Sequence, residues 1–211
     1  MDIKTHILLG SGRLTPFSQQ IQKVIDDAIP VITKKIPAKN VDVIMYHNPE
    51  GAVPEQGIGG YCPNGNITYI SLDPAFSNLK DSIKKELKRI LAHELHHTLR
   101  WQNPGYGETL LDAMITEGLA DHFDIEVYNE QPQPWSITLS EHELQRMMKK
   151  AKTEFDNKEY DHFAWFFGNE ELGIPRWTGY AIGFHLVKQY LQKYPDKKPS
   201  QLYAEKTEIF V

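Results

Sequence analysis

The chain contains the run His93-Glu94-Leu95-His96-His97, two histidines four residues apart with a glutamate directly after the first. On an α-helix, positions four apart lie about 40° apart around the axis, so His93 and His97 share a face and can hold one metal ion. Glu94 then lies about 100° from His93 and about 60° from His97, where it can reach a water at the metal without itself ligating. His96 also stands at ligand spacing from His93, but it points about 160° from Glu94, and that pairing would strand the carboxylate. The chemistry this spacing serves is hydrolysis at a zinc ion, with Glu94 as general base. With nine His and sixteen Glu in 211 residues, chance alone produces such a run in about 3% of chains, so a third ligand is needed to decide.

Glu117 supplies that candidate, twenty residues after His97. Requiring a glutamate there lowers the coincidence to about 0.2%. It belongs to the next predicted helix, joined by an Asn103-Pro104-Gly105 loop short enough to make the two helices antiparallel neighbours. Metal-bound imidazoles need a partner for their second ring nitrogen, and Asp121, four residues on from Glu117, is the candidate, for His93. The competing reading of Asp121 is a solvent-facing helix acid. Oxyanion stabilisation calls for one further donor, and Tyr180 and His185 compete for it. They lie about 140° apart on one helix, so they do not both face one metal. Tyr180 is selected, although it shares a stripe with Phe184, Val187 and Leu191 that would equally suit packing.

The spacing of His93, His97 and Glu117, with Asp121 four further, resembles the gluzincin clan of metallopeptidases, thermolysin-like enzymes included. Glu117-Gly118-Leu119-Ala120 and Gly179-Tyr180-Ala181-Ile182-Gly183 are closer still to a bacterial family of predicted Zn-dependent proteases, a domain of unknown function. The resemblance runs from about Gly57 to Tyr194. It implies a zincin-like fold, one zinc ion on His93, His97 and Glu117, Glu94 as base and Asp121 behind a ligand. The chain departs from thermolysin-like enzymes in three places. Thr116 stands where they carry Asn, no Asn-Ala-aromatic motif occurs near Asn66 to Ile70, and their glycine-rich segment with a histidine is missing. Substrate positioning therefore does not carry over.

These residues need elements to hold them. Thr15-Pro16 predicts a helix start, and Ile21, Val24, Ile25, Ala28, Ile29 and Ile32 continue at helical spacing, with Pro30 expected to bend or end the helix. Val41 to Tyr46 predicts a strand. Gly57 to Tyr61 and Ile67 to Leu72 predict a hairpin about Asn64-Gly65, and a strand there can pair with an extended peptide. From Asn78, Ile83, Leu87, Ile90 and Leu91 mark the buried stripe of one helix carrying His93 and His97 and ended by Pro104. Thr109 with Asp112, and Ser140 with Glu143, resemble capping boxes. Pro132 and Pro134 are expected to end the first of those helices, and a late helix runs from Thr178 to Tyr194. Gly179 and Gly183 suggest close helix packing, and Trp165, Phe166 and Phe167 a core. His6, His47, His122, His142 and His162 lack ligand spacing and are read as structural or surface residues.

The expected class is α+β: a small N-terminal mixed lobe with a short sheet, the metal helix, and a mainly helical C-terminal lobe. Residues 1–211 form one domain, with lobes 1–100 and 101–211. At 40% hydrophobic and 24% charged residues the chain can bury an ordinary core. A net charge of −5 disfavours nucleic acid as a partner, and Lys84, Lys85, Lys88 and Arg89 read as a solvated helix face. Cys62 is the single cysteine, so no intrachain disulfide forms. Met1-Asp2-Ile3-Lys4 and the short run Ile7-Leu8-Leu9, soon interrupted by Ser11 and Arg13, are no signal or membrane segment. A cytoplasmic location follows, with secretion open if the sequence is trimmed. The function expected is zinc-dependent hydrolysis of peptide bonds in a peptide or protein substrate. A non-catalytic zinc protein and a metal-free helical interaction module are the alternatives.

Overall fold

The computed structural model describes residues 3–211; Met1 and Asp2 lie outside the described residues. The chain forms two compact units, Met1–Gln102 and Asn103–Val211. The class is α+β, with a four-stranded mixed sheet in the first unit and helices in the second.

In the first unit the strands β1 (Lys4–Ile7), β2 (Asp42–His47), β3 (Ile58–Asn64) and β4 (Ile67–Leu72) lie in the order β1-β2-β4-β3. β1 and β2 are parallel, β2 and β4 are parallel, and β3 runs antiparallel to β4, leaving β3 on an edge. The expected hairpin is present, and Asn64 Oδ1 accepts from the Asn66 amide at 2.9 Å across its turn. The crossover from β1 to β2 contains α1 (Ser18–Thr33), whose Ile21, Ile25, Ala28 and Ile32 are buried. Two short expectations fail there. Thr15 lies inside a 3-10 turn whose cap is Leu14, with Pro16 at its start, and α1 itself begins at Ser18. The helix also continues through Pro30 to Thr33. A proline there removes one intrahelical bond and crowds the carbonyl four residues back, but burial of Ile32 beyond it keeps the last turn on the core. β1 carries no local signal, because its four residues pair with a distant parallel strand.

The single helix expected from Asn78 is two, α2 (Leu79–Lys85) and α3 (Leu87–Gln102). They meet at Glu86, whose amide bonds the Ser82 carbonyl at 2.7 Å while its carbonyl takes the Ile90 amide at 2.9 Å. α3 packs on β3 and β4 and beside α1 and α2.

In the second unit both expected capping boxes are present. Thr109 and Asp112 open α4 (Leu110–Tyr128), and Ser140 and Glu143 open α5 (Glu141–Lys152). α4 ends before Pro132, at Asn129 in the left-handed conformation, φ 53°, because asparagine tolerates the C-terminal reversal well. Two short helices, α6 (His162–Phe167) and α8 (Pro199–Leu202), flank α7 (Thr178–Lys193). Trp165 and Phe166 are core residues, but Phe167 is 48% exposed. α4 and α7 cross at glycines. A Cβ on Gly183 would strike the Met114 carbonyl, lying 2.6 Å from its carbon, and one on Gly118 would lie 2.8 Å from the Phe184 nitrogen. Gly179 instead lies under the Phe166 ring.

Gly183→Ala sets two effects against each other. Helix propensity favours alanine by about 1 kcal/mol, whereas overpacking against an unyielding backbone costs about 3 kcal/mol. The second wins, and thermal unfolding should show Tm lowered by about 5 °C. An unchanged or higher Tm would mean that the two helices separate at little cost.

Candidate metal centre

α3 presents a site because it is buried nearly all round: Leu87, Leu91 and Leu95 face the core, while Glu94 and His97 are also buried, at 5% and 4% exposure. Its last turn is tied to the hairpin. Trp101 Nε1 donates to the Cys62 carbonyl and Gln102 Nε2 to the Gly65 carbonyl, each at 2.8 Å. Those tethers, with packing on β3, fix the register of the helix against the edge strand.

His93 and His97 converge. Their Nε2 atoms are 2.9 Å apart, with ring centroids at 4.6 Å and planes at 86°. One carboxylate oxygen of Glu94 and one nitrogen from each ring all lie within 4.8 Å of one another. His96 is fully buried and stands outside this group, as its direction from Glu94 requires. The donor set fits zinc. Bonds of about 2.1 Å at a tetrahedral centre place two ring nitrogens about 3.4 Å apart, a small widening of the separation present.

The remaining candidates lie in the helical unit. Glu117 is buried on α4, and Tyr106 Oη donates to its Oε1 at 2.5 Å. Thr116 Oγ1 donates to the Tyr106 carbonyl at 3.1 Å. Adjacent residues of α4 thus hold Tyr106 by backbone and side chain together, which gives the threonine at this position a task. Burial, and then the Glu117 carboxylate, push the Tyr106 hydroxyl well above the usual tyrosine range. The same two causes, joined by Asp112, push Tyr160 up to about 12. Burial lowers His162 against the opposing pull of Glu117 and Asp161.

Asp121 is buried rather than solvent-facing. Trp135 Nε1 donates to its Oδ1 at 3.0 Å and Ser136 Oγ to its Oδ2 at 2.7 Å. Tyr180 is half-buried, its ring 6.4 Å from Trp135 and edge-on to Phe166 at 5.1 Å. His185 is half-buried, and burial lowers its pKa. Sequence spacing offered no signal for Tyr106, Trp135 or Ser136: each reaches its carboxylate from a loop or a short turn outside the helix that carries it.

The chain is 25% identical over 151 residues to the uncharacterized protein YjfC of Bacillus subtilis (strain 168), covering 64% of this chain and 49% of that one. It is 31% identical over 111 residues to the uncharacterized protein YjaZ of the same organism, covering 48% and 41%. The matched region therefore spans less than half of either relative. No solved structure matches. Residues 21–211 match the family described as "Predicted Zn-dependent protease (DUF2268)". With nine-tenths of its length matched and a His93–Glu94–His97 cluster of the right donors in place, the chain belongs to this family of predicted Zn-dependent proteases.

Proposed function

We propose that the protein is a zinc peptidase of the gluzincin type with a zincin-like fold, binding one zinc ion through His93, His97 and Glu117. The observation that carries this reading is the convergence of two imidazole nitrogens beside a buried carboxylate on a single helix. Zinc, when bound, would supply Lewis acidity, lowering the pKa of water toward neutrality and polarising a peptide carbonyl. Glu94 accepts a proton from the attacking water as the new C–O bond forms, and delivers it to the amine nitrogen as the C–N bond breaks. Tyr180 is the proposed donor to the oxyanion. β3 is an edge strand with Gly60 and Tyr61 exposed, so an extended peptide can add to it by main-chain hydrogen bonds. The partner is a peptide or protein substrate met in the cytoplasm. No helix among the described residues is long and apolar enough to cross a membrane.

The test is bound metal together with hydrolysis of an unstructured protein. Metal with activity supports the peptidase. Metal with no activity would leave a zinc-binding protein without catalysis, and no metal would leave a helical interaction module.

Asp121 is proposed to support His93 as the acceptor for its second ring nitrogen. Asp121→Ala should then weaken zinc affinity about 10- to 100-fold, measured by chelator competition. Because Trp135 and Ser136 lose their acceptor as well, Asp121→Asn is the companion variant. Zinc affinity at the wild-type value in both variants would confine Asp121 to holding that turn.

A further inference from the structure

Strand β3 contains two consecutive glycines whose faces differ. A Cβ on Gly59 would run into the Gly51 carbonyl and lie 3.2 Å from Ala52 Cα, both backbone atoms. The three nearest atoms that a Cβ on Gly60 would meet all belong to the Glu94 side chain: it would strike Oε1 and lie 2.6 Å from both Cδ and Cγ. Gly60 is not among the glycines with positive φ. Its backbone is one that alanine adopts without strain, so conformational freedom does not account for the residue. What its missing side chain provides is room for one carboxylate.

We propose that Gly60 is a positioning residue for Glu94: its bare pleat on the edge strand is the seat on which the carboxylate rests, which sets where the proton acceptor stands beside His93 and His97. The role rests on the reading of Glu94 as the base, but the contact itself does not. Any side chain at position 60 must displace the carboxylate, since the strand is held by β4 on one side and tied to α3 through Cys62. Glu94 is buried, so a rotated carboxylate must push into packed surroundings. His93 and His97 are not among the three nearest atoms such a Cβ would meet, so the first group displaced is the carboxylate rather than a ring.

Two measurements test this. In the first, Tm is recorded for Gly60→Ala alone and in a Glu94→Ala background, which removes all three obstructing atoms. Alanine in an unstrained strand restricts the unfolded chain and favours folding, so the sign should reverse. Gly60→Ala should lower Tm by about 3 °C when Glu94 is present, and leave it unchanged or higher in the Glu94→Ala background. Gly59→Ala is the control: its obstacle is backbone, and it should lower Tm equally in both backgrounds. Equal shifts for Gly60→Ala in the two backgrounds would overturn the proposal, and this arm needs no activity.

The second measurement separates positioning from catalysis. With hydrolysis established for the wild type, Gly60→Ala should lose about 100-fold in kcat while KM and zinc affinity stay at wild-type values. A kcat within threefold of wild type would overturn the role. If the wild type has no peptidase activity, the reading of Glu94 as base fails, and the Tm cycle still judges the seat.

Discussion

Glu94→Gln should lower kcat for peptide hydrolysis by about 10²- to 10⁴-fold, the usual contribution of a positioned proton-transfer group, while zinc content stays at the wild-type level. The substitution keeps the shape of a side chain that is only 5% exposed, so the packing of α3 on β3 survives. It removes the one property the mechanism requires, a carboxylate able to take a proton from water and hold it until the amine departs. Zinc stoichiometry from elemental analysis, Tm and initial rates on an unstructured protein check all three statements. A variant as active as wild type would remove Glu94 from the chemistry. One that loses its metal as well would make Glu94 a ligand rather than a base.

The second large effect is on metal binding. Glu117→Gln replaces an anionic oxygen donor by a neutral, weaker one, and its loss should exceed the 10- to 100-fold that removing an outer hydrogen-bond partner causes. The helical unit should survive, because the amide oxygen still accepts from the Tyr106 hydroxyl and Thr116 still holds the Tyr106 carbonyl. The readout is the rise in Tm on adding zinc. At a free zinc concentration 100 times the wild-type Kd, binding stabilises the wild type by about 2.7 kcal/mol, or about 5–10 °C. A variant weakened 100-fold gains about 0.4 kcal/mol under the same conditions. Without metal the two proteins should unfold at the same temperature. An undiminished zinc-dependent shift in Glu117→Gln would exclude this residue from the ligand set and leave two histidines in search of another partner.

Features legible in the sequence were those built from contacts within a few residues. The capping boxes Thr109/Asp112 and Ser140/Glu143 are three-residue patterns, and both helices start where the patterns stand. The hairpin about Asn64-Gly65 is set by its turn and by adjacent apolar runs. His93, Glu94 and His97 come together because helical periodicity alone puts them on one side. Where local rules misled, a tertiary contact outweighed them. Pro30 does not end α1, because Ile32 beyond it is buried; the expected long helix is two segments that meet at Glu86, both packed against α1 and β3.

By itself, then, the sequence determined which residues could hold a metal and on which helix the base would stand, since spacing along a helix is a property of the covalent chain. The tertiary structure decided what surrounds them. Gly60 lies under Glu94 from 34 residues away, Tyr106 reaches Glu117 from a loop, and Trp135 and Ser136 close on Asp121 from a short turn. No periodicity encodes such meetings, because they exist only once the strand or helix core has brought distant segments to van der Waals contact.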